Sequence, residues 1–268
     1  MKSKFKRALA FTASLAMCGM TLLQFPSGIF HLPLPASAAE GDACTETGCR
    51  GTFDANGFCT EDGTHYEPAT YIDDKDVYEI ANAGQLYWFM ELVNSVELDE
   101  NGKGYADYDA VLTADITVNE NVLNEDGTLA EGDFRAWFPI GYYYDRDDDS
   151  TNEDIYYTGT FDGQNHTISG LYFDNAEQSY VGLFGQIASG AKICNVTVAD
   201  SYFKGKNGVG GVCGLNSFGT ITNCTNSGSV TGSSNSVGGV CGYNYGTITD
   251  CTNSGRVTSE SSVGGACG

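Results

Sequence analysis

The chain has 268 residues, with 13 basic against 35 acidic side chains and a formal net charge of −22. No basic surface remains to follow a phosphate backbone, so nucleic acid is excluded as a partner. The length admits one or two domains, and the acidity favours solubility and attracts cations without specifying a ligand.

Residues 1–39 read as an export signal. Lys2, Lys4, Lys6 and Arg7 form a basic start, an apolar stretch runs from Ala8 to Phe30, and Ala36-Ser-Ala-Ala39 supplies small residues for cleavage. Pro26, Gly28 and Pro33 interrupt the apolar run, which argues against a retained membrane anchor. The membrane is therefore expected as a partner only through this signal. Loss of its four basic residues takes the net charge from −22 to −26.

Residues 40–70 form a Gly/Asp/Thr-rich segment holding Cys44, Cys49 and Cys59, and it ends in Tyr66-Glu-Pro-Ala69. With His65, the three cysteines make a chemically sound zinc set. One disulfide with a spare thiol, or three thiols in a linker, fit the same residues. Next comes the one helix that the spacing predicts. Asn82 caps it and Gln85 reaches back, while Leu86, Phe89, Met90 and Val93 fall on one apolar stripe. That stripe reads as core packing, and the helix is placed to cover the N-terminal end of whatever follows.

Asp109 to Val118 reads as strand, Asn124-Glu-Asp-Gly127 as a turn, and Phe134 to Gly141 offers Trp137 and Ile140 to the core. An acidic loop then runs from Asp145 to Asp154. Asp145, Asp147 and Asp149 have the spacing that begins a calcium loop. Ser150 and Tyr156 stand where its glycine and glutamate belong, so a solvated charge run explains the segment as well as calcium does. Tyr142, Tyr143 and Tyr144 precede it. With Asp147, Asp148 and Asp149 they are the expected ligand-contact residues, because a loop on a rigid scaffold suits recognition.

From Val181 the chain repeats. Val209-Gly-Gly-Val-Cys-Gly214 returns as Val237-Gly-Gly-Val-Cys-Gly242 and as Val263-Gly-Gly-Ala-Cys-Gly268, a period of 28 residues and then 26. Gly219-Thr-Ile-Thr-Asn-Cys-Thr-Asn-Ser-Gly228 recurs as Gly246-Thr-Ile-Thr-Asp-Cys-Thr-Asn-Ser-Gly255. Short β-branched runs between Gly/Asn/Ser turns make each unit one coil of a parallel solenoid with three short strands. Ile193, Ile221 and Ile248 share an inward column, as do Val196, Cys224 and Cys251, and Phe184 with Cys213, Cys241 and Cys267. A corner at Asn223 follows from apolar residues three apart, and Asn195, Asn223 and Asp250 should stack there. Outward faces should present Thr, Ser and Asn repeatedly. Gly268 falls six residues into a coil, and further coils are expected after it.

Val181-Gly-Leu-Phe-Gly185 and its later copies resemble the GLUG repeat, found in bacterial secreted and cell-surface proteins, including adhesin-like ones. The likeness covers residues 181–268 and implies an all-β fold, a right-handed parallel β-helix running over residues 71–268 behind the short capping helix. Residues 40–70 resemble cysteine modules found ahead of such repeats, which commonly have a fourth cysteine where this chain has Asp62 and His65.

Chemistry is sparse. After the leader only His65 and His166 remain, and no metallopeptidase, nucleophile-elbow or phosphate-loop motif appears. Chance carboxylate pairs are unavoidable in so acidic a chain. The repeat cysteines read as core filler, with Cys194 on the outward side. The sequence therefore predicts a secreted or surface-displayed module that binds a host or envelope glycan or protein, or spaces other domains. It needs no cofactor beyond the zinc or calcium just considered. A carbohydrate-active enzyme is the alternative, or the N-terminal part of a larger surface protein such as a peptidase. A concave groove with clustered carboxylates and a basic residue would favour the enzyme.

Overall fold

The computed structural model describes residues 51–95, 104–142, 154–261 and 263–268. Short strands of successive coils lie side by side. Val77–Ile80, Asp109–Leu112, Thr160–Asp162, Lys192–Cys194, Thr220–Thr222 and Thr247–Thr249 pair in parallel along one wall, and Thr70–Ile72 adds an antiparallel edge. A second wall runs from Ile116–Thr117 through Thr167–Ser169, Thr197–Ala199 and Thr225–Asn226 to Thr252–Asn253. A third stacks Tyr172–Asp174, Tyr202–Gly205, Ser229–Gly232 and Val257–Ser259. The molecule is a parallel β-solenoid.

Alternation along each rung fills the core. In the first wall Phe161, Ile193, Ile221 and Ile248 are register partners, and the first three have no exposed surface. Phe184, Cys213, Cys241 and Cys267 form a second inward column. The expected corner is also present. Asn195, Asn223 and Asp250 all take left-handed backbone, with φ of 56°, 52° and 52°. Asparagine and aspartate adopt that conformation at low cost. Asn223 Nδ2 donates to Asn195 Oδ1 at 2.8 Å, and Asn195 Nδ2 donates to Asp162 Oδ1 at 2.8 Å. The side chains thus extend the backbone ladder across three coils.

Two details differ from the sequence reading. Each coil of the repeat region carries five short strands rather than three, because Cys213–Asn216 and Val237–Gly238 belong to stacks of their own. In Val-Gly-Gly-Val the first two residues are a short rung and the second two turn the corner. A Cβ on Gly210 would lie 2.2 Å from the Cys213 carbonyl oxygen, so only glycine lets the chain fold back so closely. The asparagines are also not all outward. Asn216 and Asn226 have no exposed surface. Their Oδ1 atoms accept from Gly219 and Gly228 N–H at 2.8 and 3.1 Å, and their amides donate to Asn244 and Asn253 at 2.8 Å. A buried amide is tolerable because every corner supplies an N–H and every coil a matching amide.

The helix spans Ala83–Val93. Asn82 Oδ1 accepts from Gln85 N–H at 2.9 Å, and Gln85 Oε1 accepts from Ala81 N–H at 2.7 Å, one residue earlier than a capping box places it. The predicted stripe is buried, but so are Tyr87 and Leu92. A second layer covers the start of the helix and helps to bury Tyr87. Residues 51–69 fold into a small hairpin, Phe53 bridging Cys59 and Phe58 bridging Tyr66, which lies against the helix start. Gly84 N–H donates to Asn56 O at 2.7 Å, and a Cβ on Gly84 would sit 1.9 Å from Gly57 O. Buried Glu67 accepts from both capping side chains, Asn82 at 2.7 Å and Gln85 at 3.0 Å. On its other side the helix closes the core, with Phe89 against Phe161 and Tyr157, and Tyr87 against Trp137. Among the described residues no helix is long and apolar enough to cross a membrane.

Replacing Ile221 by Ala should cost about 2–5 kcal/mol, the range for truncating a fully buried aliphatic side chain. Urea denaturation followed by circular dichroism measures it; a loss under 1 kcal/mol would mean this column does not hold the coils together.

Candidate functional site

Of the expected ligand-contact residues only Tyr142 lies within the described residues; Tyr143, Tyr144, Asp147, Asp148 and Asp149 lie outside them, as does Asp145. The flanks of that segment are well defined. Ile155 N–H donates to Tyr142 O at 3.3 Å, and Asn94, the helix C-cap, accepts from Gly141 and Tyr142 N–H at 2.8 and 3.3 Å. The chain therefore leaves and returns at one point on the rim of the capping helix. Tyr142 itself is half-buried.

That point belongs to a wall of its own. Ile140 bridges Phe184 and Tyr157 bridges Ile187, both in the strand Phe184–Ile187, which pairs with Cys213–Asn216 and then with Cys241–Asn244. Beyond these strands the chain turns, and two large aromatics stand out from the turns: Phe218 is 71% exposed and Tyr245 is 63% exposed. They sit in matching places, each directly before a glycine that starts the next rung, Gly219 and Gly246. Phe218 also holds φ at 70°. A bulky residue in left-handed backbone is strained, and such strain persists where the surroundings or function require it. Sequence reasoning missed this pair. The available signal was the one-residue slip between Asn216-Ser-Phe-Gly219 and Asn244-Tyr-Gly246, where an aromatic survives a change in loop length.

An open groove of about 570 Å³ lies elsewhere, between the Asn124–Gly127 turn and the corners at Ser227 and Ser254. It contains Glu125, Asp126, Asp200 and Arg256, the acidic and basic combination that would suit an enzyme. Two of the carboxylates have other roles. Asp200 accepts from Val122 and Leu123 N–H at 3.2 and 2.9 Å and pins the turn to the coil. Hydrogen bonds from the Thr128 hydroxyl and N–H hold Asp126 below the usual carboxylate range, whereas a general acid needs the opposite shift. His166, the second histidine, faces Asp115 at 3.1 Å, and that carboxylate also accepts from Thr167 N–H at 2.8 Å. This is a corner clasp.

In the N-terminal hairpin the structure brings Cys59 and His65 together, and adds Asp62. Their donor atoms all lie within 4.8 Å of one another, and His65 Nδ1 is 3.4 Å from Asp62 Oδ2. Burial pushes the Asp62 carboxyl up, but bonds from Thr64 and the charge of His65 outweigh it and the pKa is lowered. Cys44 and Cys49, the other two expected zinc ligands, lie outside the described residues.

The repeat cysteines are core residues. Cys213, Cys224 and Cys241 are free thiols with no exposed surface. Cys194 does lie in the outward column, opposite Thr222 and Asp162, yet it is 4% exposed; burial and the neighbouring Asp162 push its thiol up. Cys251 differs, because it is half-buried and its sulfur accepts from Cys224 N–H at 3.4 Å. Hydrogen bonding with Cys224 lowers its thiol to about 7, while Cys224 moves the other way. Iodoacetamide should therefore modify Cys251 well before Cys213, Cys224 or Cys241 in the folded protein. Peptide mapping of a time course checks this, and prior labelling of Cys213 or Cys241 would contradict it.

Comparison with known proteins places two coils in a family. The GLUG motif matches residues 205–231 and 233–258. A stretch of 68 residues, 25% of the chain, is 38% identical to halomucin of Haloquadratum walsbyi (strain DSM 16790 / HBSQ001). That stretch spans 1% of halomucin's length. No solved structure matches the chain.

Proposed function

We propose that this GLUG-motif repeat protein is a secreted or surface-displayed module of adhesin-like character, which binds a glycan or protein and does not catalyse. The observation that carries the reading is the pair of exposed aromatics, Phe218 at 71% and Tyr245 at 63%, presented at the same turn of consecutive coils. Exposed aromatic faces at fixed spacing give large contact area at low entropic cost, which suits sugar rings and protein hot spots alike. Tyr142, Tyr143, Tyr144 and Asp147 to Asp149 would extend the same contact surface, because their segment is anchored on the same wall. The rest of the scaffold supports a display role. Outward positions of the longest wall repeat Thr in its last two coils, at Thr220, Thr222, Thr247 and Thr249. The export signal at residues 1–39 and the GLUG repeats support a surface location.

The strained backbone at Phe218 separates binding from folding. Phe218→Gly relieves the positive φ and should leave thermal stability unchanged or raised, while ligand affinity drops at least tenfold. The mature chain is screened against polysaccharide and host-protein arrays, and affinities of Phe218→Gly, Tyr245→Ser and a 145–154 deletion are then measured. Binding that survives all three changes places the contact elsewhere. Polysaccharide turnover that disappears when Glu125 or Asp126 is replaced by its amide would establish the enzyme instead.

A further inference from the structure

We propose that Cys59, Asp62 and His65 hold one divalent zinc ion that locks the N-terminal hairpin onto the capping helix. The three residues are spaced i, i+3 and i+6, a spacing that brings donors together only in a tight turn. The backbone makes that turn. Gly63 N–H donates to Cys59 O at 2.8 Å, Gly63 takes φ of 66°, and Cys59 N–H donates to His65 O at 3.0 Å. The donor atoms consequently fall within 4.8 Å of one another.

The geometry points to a metal more than to an ion pair. A charge-assisted N–H···O⁻ bond closes to about 2.7–2.9 Å, whereas His65 Nδ1 and Asp62 Oδ2 stand 3.4 Å apart. Two ligands bonded to tetrahedral zinc at about 2.0–2.1 Å are separated by roughly that distance. One thiolate, one imidazole and one carboxylate form a mixed soft and borderline set, which suits zinc and disfavours calcium or magnesium. Charge also balances, since a thiolate and a carboxylate offset the two positive charges of the ion.

The surroundings are built for such a role. Cys59 is 3% exposed, while the side chains of His65 and Asp62 are 29% and 40% exposed, so an ion can reach the turn from solvent. Asp62 Oδ1 is held by Thr64 N–H at 2.9 Å, which aims Oδ2 toward His65. Arg135 clasps the turn from the solenoid side: Nη1 donates to Gly63 O at 2.8 Å and its guanidinium lies 3.8 Å from the Phe58 ring centroid. The next link in the hairpin, Glu67, joins both helix-capping side chains. An ion in the turn would therefore stiffen the layer that covers the end of the core.

Cobalt(II) reads the site directly, because a cobalt–thiolate bond gives a near-ultraviolet charge-transfer band and tetrahedral cobalt absorbs strongly in the visible. The mature chain is stripped with chelator, titrated with Co²⁺ and back-titrated with Zn²⁺. The expected result is one cobalt per chain, displaced by one zinc. The thiolate band should vanish in Cys59→Ser, and affinity should fall at least tenfold in His65→Ala and in Asp62→Asn. The latter two positions are partly exposed, so those variants keep the fold, and an unchanged far-ultraviolet spectrum verifies it. No cobalt–thiolate band, or a fall of less than tenfold in both of those variants, overturns the proposal. A band that persists in Cys59→Ser and disappears only in Cys44→Ser or Cys49→Ser also overturns it.

Discussion

In-register stacking of one coil on the next is the constraint on which the rest depends. A rung of three or four residues buries too little apolar surface to hold itself, so each coil is stable only against a neighbour with side chains in the same columns. Ile221 needs Ile193 beneath it and Ile248 above it, and the backbone ladder puts them there. A one-residue slip would turn every inward side chain outward. The corners prevent that slip. Asn223 takes the left-handed backbone of the corner at low cost, and its amide reaches the same residue of the previous coil. Asn216 and Asn226 act likewise from the inside, each closing its own turn with one atom and gripping the next coil with another.

Such a stack has ends, and the N-terminal end is covered in two layers. The hairpin of residues 51–69 covers the start of the helix, with Phe58 and Tyr66 packed on Tyr87. Glu67 is the polar joint between the layers. A buried carboxylate is costly unless its oxygens are occupied, and here each accepts from a side chain that caps the helix. Helix, hairpin and the Arg135 clasp therefore belong to one unit, and the turn holding Cys59, Asp62 and His65 sits within it.

Regularity also decides where function can reside. A column repeated over several coils presents the same chemistry at every rung, so distinct chemistry appears where the period is broken. The 143–153 insertion, the Phe218 and Tyr245 turns, and the 122–130 turn are three such breaks. The residues that flank the first, Ile140 and Tyr157, bridge the same wall whose turns carry Phe218 and Tyr245. The third carries charge, but Asp200 and Asp126 are engaged in holding the turn in place. The Phe218 and Tyr245 turns thus leave side chains exposed to solvent, whereas the 122–130 turn engages carboxylates in structure.

The solenoid, its inward columns, the asparagine corner and the capping helix were all legible in the residues, because each rests on local periodicity or on a local backbone preference. Repeats state their own alignment, and an apolar residue that recurs every 26 to 28 positions can only be a column. The tertiary structure alone decided the rest. Val-Gly-Gly-Val looks like one strand by composition, but it is a two-residue rung and a corner, because the chain folds back so closely that a side chain on Gly210 would collide with the Cys213 carbonyl. Asn226 looks like a surface residue, and is buried because a matching amide waits one coil away. Asp62 joins Cys59 and His65, and Phe218 lines up with Tyr245, through turns whose geometry is set by hydrogen bonds across the chain. Local pattern determines which way a side chain faces along its own rung; which residues meet across rungs depends on how the coils are stacked.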